Sequence, residues 1–143
     1  MKMQISTDYA IRILLYLHEN RNEGEVYTAM HISVATGITY AIFTKLINLL
    51  KKKGLVKAAQ GKKGGYTLGL PANEISLYDV FLCIEGELQI NRCLKNDGIC
   101  NRGPSESCAM HCFFYELQGQ LIAEMSGTMI ADLAHTVEHE IAS

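Results

Sequence analysis

Along the first stretch of the chain, apolar side chains fall at Ala10, Ile13, Leu14 and Leu17, with Ile11 and Leu15 widening the stripe. That spacing predicts a helix buried over much of its surface. Ser6-Thr7-Asp8 supplies an N-cap and a first-turn acid, and the pattern stops near Asn20, before the polar turn Asn22-Glu23-Gly24. Thr28 opens a second helix, Ala29 to Thr36, closed by Gly37. Thr39 caps a third that runs to Lys53, with Ile42, Leu46, Leu49 and Leu50 on one side and Gly54 at its end. Two short helices meeting at a tight Gly-containing turn, the second amphipathic with a polar first turn, form the pattern of a helix-turn-helix. The second helix of that motif enters a major groove.

Leu55-Val56-Lys57-Ala58-Ala59 and Tyr66-Thr67-Leu68-Gly69-Leu70 flank a loop rich in glycine and lysine, and together they read as a β-hairpin. Gly64 and Gly65 permit positive φ and close backbone approach. Pro71 breaks the second strand, and Ser76-Leu77-Tyr78-Asp79 caps a fourth helix ending at Glu85-Gly86. From Ile90 to Ser107 the periodicity gives way to an irregular loop. A long helix resumes near Ala109, with Phe113, Leu117, Leu121 and Met125 or Ile122 on one face; Thr128 then caps a short helix through Leu133, followed by a tail. The expected fold class is mainly α: a winged helix-turn-helix with a β-hairpin wing and a long C-terminal dimerisation helix. The expected division is 1–86 for the DNA-binding domain, 87–108 for a cysteine-rich sensor loop, and 109–143 for the dimerisation helix and tail. A helix this apolar at the far end of a small domain calls for a surface beyond its own fold. A two-fold homodimer is the economical answer.

The length of 143 residues, with 48% hydrophobic and 20% charged, fits one globular domain and excludes a disordered or fibrous chain. No apolar run reaches the ~18 residues of a membrane span. The start, MKMQISTDYAIR, carries no uninterrupted hydrophobic region and no small-residue cleavage pattern, so the expected location is the cytoplasm, with no membrane partner. The net charge of −2 conceals a strong asymmetry: from Val26 to Asn73 there are seven lysines and no Asp, Glu or Arg, whereas the remaining residues hold six basic and fifteen acidic side chains. Such a field suits a DNA duplex lying against one face. Thr39, Tyr40, Thr44 and Lys45, opposite the apolar stripe of the third helix, are the candidates for base and phosphate contact. Thr28 at a helix N-terminus, and Lys62, Lys63 and Gly64 in the hairpin loop, are candidates for the phosphate backbone.

Four of the five cysteines follow the pattern Cys93-x6-Cys100-x7-Cys108-x3-Cys112, with His111 beside the last. Thiolates and imidazole are soft ligands for iron–sulfur clusters, zinc or copper. Structural zinc ribbons use closer knuckles, and a loose thiol-bearing loop suits a larger object such as an iron–sulfur cluster better. Zinc on Cys93, Cys100, Cys108 and His111 stays open, as does a cluster-free regulator whose thiols respond directly to oxidants. Cys83, among Val80, Phe81, Leu82 and Ile84, reads as a buried inert thiol. Cys112, in a first helical turn, reads as a spare ligand, a reactive thiol or a packing group. No Cys-x-x-Cys lies near a βαβ pattern, no Gly-rich cofactor loop occurs, and His135 and His139 fall in the tail. No catalytic residues are assigned, and neither an enzyme nor a small-molecule substrate is expected.

Taken together, Asp8-Tyr9-Ala10-Ile11-Arg12, Lys51-Lys52-Lys53-Gly54-Leu55-Val56, the wing Gly61-Lys62-Lys63-Gly64-Gly65-Tyr66-Thr67-Leu68 and Ile75-Ser76-Leu77-Tyr78-Asp79-Val80 resemble the IscR/NsrR-type (Rrf) family of winged-helix transcription regulators. The resemblance covers nearly the whole chain. It implies a homodimeric repressor on double-stranded operator DNA, controlled by an iron–sulfur cluster (2Fe–2S or 4Fe–4S) that senses redox, nitric oxide or iron–sulfur status. It implies Cys93, Cys100 and Cys108 as ligands, with the fourth supplied by His111, or by Asp8 of the other subunit as in nitric-oxide-sensing members. The first two cysteine gaps are a little longer than in familiar members, which leaves the cluster type open. Gln60 stands at a DNA-contacting wing position where arginine is frequent, which leaves the operator open.

Overall fold

Ala10, Ile13, Leu14 and Leu17 are buried together, as their spacing requires, and close against Ile32, Phe43, Leu46, Ile47, Leu50, Val56 and Ile75. The computed structural model describes residues 2–21, 26–59, 64–95 and 108–134. Its elements are α1 (Ile5–Glu19), α2 (Ala29–Thr36), α3 (Tyr40–Lys52), β1 (Val56–Ala59), β2 (Gly65–Leu68), a 3-10 turn over Ala72–Glu74, α4 (Leu77–Glu85), a second 3-10 turn over Arg92–Leu94, and α5 (Ala109–Gly127). A further helical segment spans 130–134. This is the expected mainly helical winged architecture.

Several helix details differ from the sequence reading: Thr39 stands at the N-cap of α3 but makes no side-chain cap there. Helix α1 begins at Ile5, ahead of Ser6-Thr7-Asp8, and its N-cap Gln4 makes no side-chain cap. The capping acceptor comes from the end of α4 instead. Glu85 accepts from the Gln4 backbone N–H at 3.2 Å and from the Thr7 hydroxyl, which is fully buried. A carboxylate remote in sequence thus satisfies an orphan donor at the helix start. In α3 the core stripe is Phe43, Leu46, Ile47 and Leu50, and Ile42 is 41% exposed. Apolar residues at 42, 43, 46, 47, 49 and 50 permit two overlapping stripes. The volume of Phe43, set against Tyr66 at a ring-centroid distance of 6.2 Å, selects one of them.

β1 and β2 pair antiparallel from Val56↔Leu68 to Ala59↔Gly65. A single bridge adds Tyr27 on the outer side of β2, the Tyr66 N–H donating to the Tyr27 carbonyl at 3.0 Å. Gly65 serves this approach rather than a positive φ: a Cβ there would sit 2.3 Å from the Tyr27 oxygen. Helix α4 carries the expected cap, and the cap is reciprocal, Ser76 Oγ accepting from the Asp79 N–H at 3.0 Å and Asp79 Oδ2 accepting from the Ser76 N–H at 2.9 Å. Gly86, with φ of 83°, ends the helix.

Phe81, Leu88 and Met125 form a second buried cluster with Ile122 alongside, which seats the C-terminal half of α5 on α4. The chain then turns back. Leu77 N–H donates to the Thr128 carbonyl, Ile130 N–H donates to the Ile75 carbonyl, both at 2.9 Å, and Ile130 is fully buried in the main core. The expected single face of α5 is therefore divided: Ile122 and Met125 face α4, whereas Phe113 and Leu117 are exposed.

Candidate nucleic-acid interface and cysteine site

Helices α2 and α3 meet at 111°, with Gly37 at φ 70° closing α2. The joint is held by local polar bonds. Ser33 Oγ donates to the Ile38 carbonyl and Thr36 Oγ1 to the Ile32 carbonyl. From outside, Arg12 on α1 donates to the Thr36 carbonyl at 3.1 Å and to Asp8 at 2.7 Å, its guanidinium lying 5.1 Å from the centre of the Tyr9 ring. Arg12 is thus a polar strut between α1 and the turn that sets the angle of α3.

With Phe43, Leu46, Ile47 and Leu50 inward, the 3.6-residue period puts Ala41, Lys45, Asn48 and Lys52 at the centre of the outward face. All four are exposed. Thr39 and Tyr40 are exposed at the helix start, and Thr44 lies on the flank with its hydroxyl donating to the Tyr40 carbonyl at 2.8 Å. Sequence reading missed Asn48. The signal that would have found it is the register of the apolar stripe, since a stripe centred on Phe43 places Asn48 squarely opposite. An outward Asn or Lys is the chemistry that pairs with adenine, guanine or phosphate. Thr28 is exposed at the start of α2, its hydroxyl accepting from the His31 N–H at 3.2 Å. Gly64 is exposed at the base of the hairpin loop; Gln60, Lys62 and Lys63 lie outside the described residues.

The cysteine donors are spread over two elements in contact. Cys93 is half-buried in the second 3-10 turn, which packs on α5. Just before that turn, the Ile90 N–H donates to Gln118 Oε1 at 3.0 Å. Cys108 is the N-cap of α5, and its carbonyl accepts from the Cys112 N–H at 3.1 Å. His111 stacks on Tyr115, and its Nδ1 is enclosed with no hydrogen-bond partner among the described residues. Cys100 lies outside the described residues. No three of the described His, Cys, Asp and Glu side chains are gathered into a metal-holding group, so Asp8, Cys93, Cys108 and His111 do not share one coordination sphere within a single chain. No disulfide joins the described cysteines. Cys83 is half-buried and donates to the Leu49 carbonyl at 3.4 Å; burial pushes its thiol pKa up, and Lys53 offsets part of that rise.

The model of the Rrf2 family, described as an iron-dependent transcriptional regulator, matches residues 3–136. The HTH-type transcriptional regulator IscR of Photorhabdus laumondii is 28% identical over 138 residues, covering 96% of this chain and 82% of that protein. Protein aau3 of Rhizobium meliloti is 30% identical over 133 residues, covering 87% and 84%. Among solved structures, CymR (YrzC), the global cysteine regulator of B. subtilis, superposes with a TM-score of 0.78 at 19% identity, covering 95% of this chain and 98% of that one. IscR of T. potens superposes at 0.76 and 21% identity, covering 98% and 90%. These two share the fold. No single helix among the described residues is long and apolar enough to cross a membrane.

Proposed function

Because the chain belongs to the Rrf2 family of transcriptional regulators, we propose that it works in the cytoplasm as a homodimeric repressor that grips double-stranded operator DNA according to the state of its cysteine segment. The observation that carries this reading is the outward face of α3, Lys45 and Asn48 above all, set at 111° to α2 inside a stretch whose charged residues are all lysines. On this reading 1–86 holds the duplex, 87–108 carries the sensor and 109–143 joins the protomers. Lys45, Asn48, Thr39, Tyr40 and Thr44 meet the major groove, while Thr28, Gln60, Lys62, Lys63 and Gly64 meet the backbone. The dimer surface is the free side of α5, where Met110, Phe113 and Tyr115 are 53%, 58% and 66% exposed. Large apolar side chains left this open mark an interaction surface.

The donor types suit an iron–sulfur cluster. Cys93, Cys100 and Cys108 would hold it, with the enclosed, unpartnered Nδ1 of His111 or the partner subunit's Asp8 as fourth donor. Bound there, such a cluster would supply an oxidisable, charged group on the 87–108 segment. Asp8 is held by Arg12, and Arg12 also holds the Thr36 carbonyl, so the α1 carboxylate is one bond removed from the helix-turn-helix joint.

A second reading, a cluster-free thiol regulator, is favoured by one feature: exposed Cys112 lies one helical turn beyond Cys108. The test is fluorescence anisotropy on fragmented DNA from the organism's own promoters, with protein reconstituted anaerobically with iron and sulfide and with untreated protein. If every described and undescribed lysine of the basic stretch met phosphate, the slope of log K against log salt would approach about −6 per subunit, an upper bound. Lys45→Ala is expected to reduce the slope by about 1. Absence of DNA binding at moderate salt in both states defeats the proposal. A visible spectrum surviving Cys93→Ala, Cys100→Ala and Cys108→Ala alike defeats the cluster assignment.

A further inference from the structure

The end of α1, the root of the β-hairpin and the turn after Pro71 enclose a cavity of about 710 Å³ that neither the DNA face nor the cysteine segment uses. Its size lies within the range of small-molecule sites, roughly 300–1,000 Å³. We propose that it binds a small carboxylate carrying a compact apolar or aromatic body.

The chemistry of the walls is divided. Leu17, which is buried, and Leu68, which is half-buried, give the cavity an apolar floor. Arg21 and Lys57 stand at its rim beside His18, and no Asp or Glu occurs among its described lining residues. Arg21 spends one guanidinium N–H on the His18 carbonyl at 2.5 Å, and the Lys57 ammonium makes no hydrogen bond or ion pair among the described residues. Two permanent cations without a described counter-charge call for an anion. A guanidinium is the group best shaped for a carboxylate, which it receives through paired N–H donors.

The apolar floor separates this site from a phosphate-binding patch. DNA backbone is polar throughout and gains nothing from Leu17 and Leu68, whereas a ring or short branched chain behind a carboxylate covers them. Burial of such a body contributes by removing apolar surface from water. The position is also suggestive of control: Tyr27 and Tyr66, whose bridge joins the hairpin to the helical body, both line the cavity. Any effect on DNA rests on the regulatory reading above; the binding itself does not.

The experiment is a proton–nitrogen NMR titration of the full chain without DNA, using sodium benzoate, benzamidine hydrochloride and sodium phosphate at fixed ionic strength. Benzoate is expected to give saturable shifts at the Tyr27, Lys57, Thr67 and Leu70 amides. Benzamidine, the same ring with opposite charge, is expected to leave them unmoved, and phosphate, charge without a ring, to bind at least about tenfold more weakly. The double change Arg21→Gln, Lys57→Gln is expected to weaken benzoate by about tenfold or more while the rest of the spectrum is kept. Non-saturating benzoate shifts, benzamidine or phosphate matching benzoate, or undiminished binding by the double variant would each overturn the proposal. The probe comparison on the unaltered chain decides the matter even if the variant misfolds.

Discussion

The contact between Glu85 and the start of α1 joins residues far apart in sequence, and its strength can be worked out before it is measured. Glu85→Ala removes a charged acceptor from two donors at once. Hydrogen bonds to charged groups contribute about 1.5–3 kcal/mol each when partly buried, and losing an N-cap alone costs about 0.5–2 kcal/mol. The Thr7 hydroxyl, fully buried, is left without its acceptor. These effects overlap, since the cap and the Gln4 bond are one interaction, so the expected total is about 3 kcal/mol rather than their sum. Thr7→Val keeps the side-chain volume but removes the donor, and is expected to cost about 1.5 kcal/mol. The double variant should cost less than the two singles together, leaving a coupling of about 1 kcal/mol. The assay is urea unfolding followed by circular dichroism at one fixed protomer concentration, because association would otherwise shift the midpoint. In a thermal scan about 3 kcal/mol corresponds to a fall of roughly 10 °C for a chain of this length. A coupling below about 0.3 kcal/mol, within the error of additivity, would show that Glu85 does not hold the buried Thr7 hydroxyl and would refute the contact as described.

Two further outcomes follow from single residues. Ile130→Ala empties a fully buried site in the main core and should cost about 2–5 kcal/mol, read as a shift in the urea midpoint; a cost under about 1 kcal/mol would mean that the chain after α5 does not close the core. In alkylation with iodoacetamide at pH 8, exposed Cys112 should be modified well before Cys83, whose thiol pKa is raised by burial. Because the folded state holds the Cys83 proton more tightly than the unfolded chain, its stabilising contribution is complete below the ordinary thiol range and fades as pH rises through the raised value. Peptide mass mapping at successive pH values, with labelling of Cys83 lagging throughout, checks the order; equal rates would reject it.

Features written by local chemistry were legible in the chain. Gly37 and Gly54 sit at positive φ where the helices stop, and the Ser76–Asp79 cap forms as its spacing demands. What escaped the sequence depends on partners distant along the chain. Nothing near Gln4 announces that Glu85 will cap it. One residue, Tyr27, is too short a run to read as a strand, yet its bridge explains why Gly65 admits no side chain. The stripe of α3 was misjudged by one position because local periodicity cannot choose between neighbouring apolar sets, and Asn48 was lost with it. At the cysteine site the donor types were plain from spacing, but the gathering of ligands is not a property of one chain's described residues, and Asp8 turns out to be engaged by Arg12.

Helix α5 is moored over its C-terminal half: Ile122 and Met125 bed into α4, Gln118 is tied to the Ile90 N–H, and the chain beyond is stitched to Ile75, whereas Cys108 stands at the opposite tip. Nineteen residues make a rod of about 28 Å, so a swing of about 5° about the mooring carries the tip by roughly 2 Å. The geometry is that of an oar in a rowlock. On the regulatory reading proposed above, a modest tug on the sulfur-bearing blade would be traded for a small, forceful rotation at the gunwale, where the helix-turn-helix body is fastened.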